Sequence, residues 1–177
     1  MSSLDDLPFL AAAFAARRHK HQIRKDKETP YVSHVFRVCL VVRHVFGFDD
    51  PRMLAAALLH DTIEDTATDY DDIADEFGRD VARWVAALTK ETRLPDEERE
   101  EKYRSVLAAS EWQVKACKLA DIYDNLGDST SLPVEHRKKT VARSRLYLDA
   151  LSNPMPDEIR EAFRLTEARL AAVAASA

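Results

Sequence analysis

Apolar residues return along this chain at helical spacing, and no stretch alternates in the manner of a strand. Leu7, Leu10, Ala11, Phe14 and Ala15 keep a helix-face rhythm, which predicts a first helix over about residues 5–20. The polar stretch from Gln22 to Pro30 reads as a loop. Val35, Val38, Cys39, Val42 and Phe46 then predict a second helix over about residues 33–46, and Gly47 is a fitting stop. Asp50-Pro51 pairs an N-cap with proline at the first helical position, so a third helix starts there. From Met53 to Leu59 that helix is apolar on every side, the pattern of a helix buried all round. It ends abruptly in His60-Asp61.

After a short Thr/Asp-rich turn, Tyr70 to Phe77 predicts a helix stopped by Gly78. Val81, Trp84, Val85 and Leu88 predict another over about residues 79–88. Pro95 and the charged run Asp96 to Lys102 open a solvated helix reaching Ala108. Trp112, Ala116, Leu119, Ala120 and Tyr123 mark one face of a helix running to about Leu126, with Gly127 to Pro133 as a connection. Two more helices follow, at about Val134–Leu151 and Asp157–Ala174, parted by Asn153-Pro154. The pattern contains no internal repeat and no linker long enough to divide two domains. The expectation is an all-α fold, one helical bundle of about eight to ten helices spanning residues 1–177.

Composition sharpens this. Three glycines in 177 residues, with abundant alanine and leucine, suit helices and not a turn-rich sandwich or barrel. The formal net charge of −5 repels polyanions, so nucleic acid is a poor partner. A small anionic substrate needs a local basic cluster or a metal to offset that field. Cys39 and Cys117 each sit in an apolar stretch, share no CxxC pairing, and read as small core hydrophobes and not a disulfide framework. No apolar run approaches the ~20 residues that span a bilayer, and no leader pattern opens the chain. A cytoplasmic protein is expected.

Candidate chemistry concentrates where polar groups interrupt apolar helices. Of six histidines, His19, His21, His44 and His136 lie in polar or charged contexts. His60 differs, because a buried helix delivers it beside Asp61. Burying an ionised Asp61 without a partner costs several kcal/mol or more, and a divalent cation is an economical partner. The C-terminal end of the helix dipole favours a cation there too. Glu64 and Asp65 stand four residues beyond His60 and Asp61, one helical turn away if helix continues. Lys118, Asp121 and Asn125 share a helix face beside an apolar stripe, and His34 opens a helix just after a loop. Two histidines and two aspartates make a mixed N/O set suited to Mn, Fe, Zn or Co.

The order of these residues resembles the H…HD…D signature of the HD-domain phosphohydrolase superfamily. Within it the chain is similar to small alarmone hydrolases and to the hydrolase domain of RelA/SpoT-type enzymes. The matching motifs are His21-x-x-Arg24-Lys25, Pro30-Tyr31-Val32-x-His34, Ala56-Ala57-Leu58-Leu59-His60-Asp61-Thr62-Ile63-Glu64-Asp65-Thr66, Phe77-Gly78, Leu88-Thr89-Lys90 and Lys118-Leu119-Ala120-Asp121-x-x-x-Asn125. They keep the family's order over roughly residues 10–150.

The resemblance implies His34, His60, Asp61 and Asp121 as metal ligands, usually around Mn²⁺, and Glu64 and Asp65 as the groups that orient or deprotonate the attacking water. It implies Arg24 and Lys25 against a nucleotide's base and phosphates, and Asn125 against the nucleoside. The implied reaction is removal of the 3′-pyrophosphate of ppGpp or pppGpp, giving GDP or GTP. A homo-oligomer is compatible with the family. The chain departs from the alarmone pattern in three places. Ile122 replaces a basic residue, Gly127 stands where an arginine is usual, and Asp128 where a small polar residue is usual. The rival readings are an HD phosphatase for a mononucleotide or NADPH, and a non-catalytic HD nucleotide-binding module.

Overall fold

The computed structural model describes residues 4–176, and among them the chain is helical with no strand; the one extended pairing is an isolated bridge between Ile23 and Pro30. The helices are α1 (Leu7–Arg18), α2 (Val32–Leu40), α3 (Pro51–Leu59), α4 (Thr62–Asp65) and α5 (Tyr70–Phe77). They continue as α6 (Arg79–Leu88), α7 (Asp96–Ala109), α8 (Trp112–Ser129), α9 (Val134–Leu151) and α10 (Arg160–Ala175).

Two helices carry the core. α3 is buried from Met53 to Leu59, as its all-apolar sequence requires, and packs against α1, α2 and α6. Its start is fixed by Asp50, whose carboxylate accepts the Arg52 N–H at 2.9 Å, with Pro51 at the first helical position. α8 lies beside α2, α6, α9 and α10 and buries both apolar and charged residues, Lys118, Asp121 and Asp124 among them. The metal-ligand candidates of α2, α3 and α8 therefore meet where these three helices pack. Elsewhere the ends follow their local chemistry. Asp69 and Asp72 form a reciprocal capping box for α5, and Gly78 ends it at φ +88°. α2 runs on through a wider π-type turn, Val41–Val45, before Gly47 at φ +77°.

Two expectations are corrected. α8 does not stop at Leu126; it continues through Gly127 to Ser129. Gly127 is a space-maker inside a helix: a Cβ there would lie 2.1 Å from Arg169 Nη2, because Arg169 of α10 crosses that position with its guanidinium 4.2 Å above the Tyr123 ring. His19, expected in a polar setting, is buried, with Nδ1 2.7 Å from Gln22 Oε1 and its ring 5.0 Å from that of Tyr31. His21, His44 and His136 are exposed, and Cys117 is buried as a small hydrophobe. No helix of the described residues is long and apolar enough to cross a membrane.

Candidate metal centre

The last carbonyls of α3 have no partners within the helix, and the residues after it supply them. Thr62 Oγ1 donates to Leu59 O at 2.6 Å, and His60 Nδ1 donates to Ala57 O at 2.9 Å. Since a carbonyl only accepts, Nδ1 keeps a proton, and in the neutral ring Nε2 has a free lone pair. That Nε2 is buried with no hydrogen-bond partner. It lies 3.0 Å from Asp61 Oδ2 and 3.8 Å from Asp121 Oδ1. His34 Nε2 completes the cluster, 3.2 Å from Asp121 Oδ1 and 3.6 Å from Asp61 Oδ2. His34, His60 and Asp121 each bring one donor atom within 4.8 Å of the others. Asp61 reaches both imidazoles.

The electrostatics favour positive charge at this point. Burial opposes ionisation of Asp121, yet the Lys118 ammonium, 2.7 Å away, and the two imidazoles hold its carboxyl far below the usual range. For Asp61 too burial is outweighed, by His60 and His34. The imidazoles answer in kind: burial, which disfavours their charged form, is overcome by Asp121, Asp124 and Asp61 at His34, and by Asp61 and Asp121 at His60. Donor separations of 3.0–3.8 Å suit atoms sharing one ion at bonds of about 2.0–2.2 Å. An orphaned imidazole nitrogen beside two carboxylates thus fits a divalent cation.

Around the cluster opens a cavity of about 260 Å³. Its walls include His34, Asp61, Asp121, Glu64 and Asp65, together with Arg24, Lys25 and Asn125, while His60 sits beneath, its ring 5.2 Å from that of His34. α4 restarts helix after His60-Asp61, with the Asp65 N–H donating to Asp61 O at 2.9 Å, and so turns both acids toward the pocket. Glu64 Oε2 accepts the Lys90 N–H at 2.9 Å. Burial first, and neighbouring Asp61 after it, push the carboxyls of Glu64 and Asp65 upward, so both are stronger bases than exposed acids. Arg24 is held by Asp128 Oδ2, at 2.9 Å from Nε and 2.7 Å from Nη2, and by Asn125 Oδ1 at 2.9 Å. Asn125 in turn donates to Asp121 Oδ1.

Three further side chains brace the site: Arg37 and Asp124, which no sequence motif singled out, and Tyr31, which stands in a motif but had no role assigned. Arg37 Nε donates to Asp124 Oδ1 at 2.6 Å, Asp124 Oδ2 accepts His34 Nδ1–H at 2.7 Å, and the Tyr31 hydroxyl donates to Asp61. The signal was present: Arg37 follows His34 by one turn, and Asp121, Asp124 and Asp128 recur at helical spacing on α8.

Residues 11–151 match the sequence model of a family described as HD domain. The chain is 43% identical over 129 residues to a guanosine-3′,5′-bis(diphosphate) 3′-pyrophosphohydrolase of Xenopus tropicalis, MESH1, an alignment covering 72% of each chain. It is 38% identical over 132 residues to the enzyme of the same description from Aquifex aeolicus, covering 73% of this chain and 18% of that one. Among solved structures, one described as a metazoan ortholog of SpoT that hydrolyzes ppGpp and plays a role in starvation responses superimposes with a TM-score of 0.82. It is 28% identical, over 99% of this chain and 98% of its own. With its all-helical architecture and its histidine–aspartate cluster, the chain belongs to the HD domain family.

Proposed function

We propose that the chain is a divalent-metal-dependent hydrolase that removes the 3′-pyrophosphate of ppGpp or pppGpp, leaving GDP or GTP. The observation that carries the chemistry is the unpartnered, buried Nε2 of His60 among His34, Asp61 and Asp121. These four residues would hold the ion, and Mn²⁺ suits their mixed nitrogen and oxygen donors. When bound, such an ion lowers the pKa of water and offsets charge on phosphoryl oxygens.

The protein's own groups do the rest. Glu64, fixed by the Lys90 N–H, and Asp65 stand ready to take a water proton, and burial makes both more basic. The water oxygen joins the phosphorus next to O3′ as its proton passes to Glu64 or Asp65, the P–O3′ bond breaks, and O3′ takes up a proton from that acid or from solvent to leave as the nucleoside hydroxyl. Arg24, Lys25 and Asn125 line the same cavity and would hold the nucleoside. Lys25 is partly buried beside Arg143 and Arg24, and burial and then that repulsion lower its pKa. A cationic group under such strain gains from an anionic ligand, even in a protein of net charge −5. Basic Lys90 and Arg143 on the same walls add to that attraction. Compartment follows the same reading: the free thiols Cys39 and Cys117 suit the reducing cytoplasm.

The names of the relatives favour the alarmone over other nucleotides. Purified protein with Mn²⁺ is offered ppGpp, GMP and NADPH in parallel, and the released phosphorus species is identified. Pyrophosphate and GDP from ppGpp, at the highest kcat/KM of the three, is the expected result. Orthophosphate from NADPH or GMP at a higher kcat/KM would overturn the substrate, and no turnover at all would leave a binding module.

A further inference from the structure

Two of the metal-ligand candidates, His34 and Asp121, belong to a closed circuit of hydrogen bonds and ion pairs. From His34 Nδ1 it passes to Asp124 Oδ2 at 2.7 Å, and Arg37 grips Asp124 with Nε at 2.6 Å and Nη2 at 3.0 Å. The same Nη2 reaches Asp128 Oδ1 at 2.8 Å, and the other oxygen of Asp128 holds Arg24. Arg24 bonds Asn125, Asn125 bonds Asp121, and Asp121 Oδ1 returns to His34 Nε2 at 3.2 Å.

We propose that Arg37, acting through Asp124, is a positioning residue that sets how tightly the centre holds its divalent ion. It rests on the reading of His34 as a ligand, but not on the identity of the nucleotide. A carboxylate can only accept, so Asp124 fixes the proton of His34 on Nδ1 and leaves Nε2 to the centre. Such a partner orients the imidazole and makes it a better donor. Asp124 is itself almost fully buried, and without Arg37 it could turn away from His34. Arg37 prevents this with a two-pronged grip that a lysine cannot reproduce. Its side chain is about a third exposed and is not among the residues that wall the pocket, so it does not reach the reacting atoms.

The test is the affinity of chelator-treated protein for Mn²⁺ by titration calorimetry, alongside the melting temperature of the metal-free protein. Asp124→Asn keeps the side chain's size and should weaken Mn²⁺ binding by about tenfold to a hundredfold, the usual effect of losing a ligand's partner. Arg37→Met should weaken it about threefold or more, with Arg37→Lys in between. In the Asp124→Asn background, Arg37→Met should have no further effect. A lower melting temperature with Mn²⁺ affinity unchanged in both single variants would show that the circuit only braces the helices and overturn the inference. Wild-type protein that takes up no divalent ion would overturn the ligand reading, and this inference with it.

Discussion

Glu64 Oε2 accepts the main-chain N–H of Lys90 at 2.9 Å, so an acid on the short helix after His60-Asp61 is pinned by the loop that follows α6. A glutamine oxygen can accept the same bond. Glu64→Gln should therefore keep its place and leave metal content unchanged, while losing the group that takes a proton. Turnover should fall by roughly two to four orders of magnitude, the usual worth of a positioned base. Rate and bound metal, measured on one preparation, check this. Near-normal turnover would pass the role to Asp65, whose carboxyl is also raised by burial.

The metal and protons compete for the centre, and this fixes a pH dependence. In the metal-free chain His34 and His60 are raised above the ordinary 6.5, despite burial, by the carboxylates around them. Their stabilising contribution is therefore complete below pH 6.5 and is lost as pH rises through the folded-state values. Asp61 and Asp121 are depressed, so their contribution is present above the ordinary 3.8 and is constant over the same range. Chelator-treated protein should thus lose stability as pH rises above the ordinary 6.5, and Mn²⁺, which displaces those protons, should restore more at the alkaline end. The rise in melting temperature on adding Mn²⁺ should be larger at about pH 8.5 than at pH 6. It should vanish in His60→Ala and Asp61→Ala, which stay helical because α3 packs through Met53–Leu59. An equal or larger rise at the acid end would contradict the assignment.

The helices were legible because their signals are local. The all-apolar run before His60 announced a buried helix, and Asp50-Pro51 and Gly78 announced ends that depend on neighbours in sequence. The candidate metal cluster was half legible. The HD and ED pairs lie within one turn, whereas the meeting of His34 with Asp121 depends on how α2 packs on α8. Arg37 and Asp124 were hidden for the same reason: charged residues on helices read as solvated faces until packing sets them 2.6 Å apart. Gly127 misled because a glycine that ends a helix and one that makes room look alike in sequence.

Gly127 therefore permits a double substitution with a signed outcome. Gly127→Ala should gain about 0.8–1 kcal/mol of helix propensity. It should lose about 0.5–1 kcal/mol when Arg169 is pushed off the Tyr123 ring. The net change should lie close to zero. With Arg169→Ala already in place nothing remains to displace, and Gly127→Ala should stabilise by nearly the full propensity gain. Urea unfolding of the four proteins measures both steps, and equal effects in the two backgrounds would remove the arginine from the account.

Arg24 carries the prediction about substrate. Its guanidinium lies 5.5 Å from the centre of the Tyr31 ring and is already gripped by Asp128 and Asn125. An arginine held this way is presented in one orientation, so little freedom is lost when a purine stacks on it or a phosphate oxygen replaces part of its grip. Arg24→Ala should lower kcat/KM for the preferred nucleotide by about tenfold or more, roughly 1.4 kcal/mol of transition-state stabilisation. Arg24→Lys should recover part of the loss, since the charge returns without the planar fork. Bound Mn²⁺ should stay within about twofold, because Asp121 keeps Lys118 and His34 when Asn125 loses Arg24. With p-nitrophenyl phosphate, which has no purine to stack, the loss should be much smaller. Equal losses on both substrates would place Arg24 among the groups that handle the phosphoryl centre, and no loss on either would leave it as a brace for Asp128.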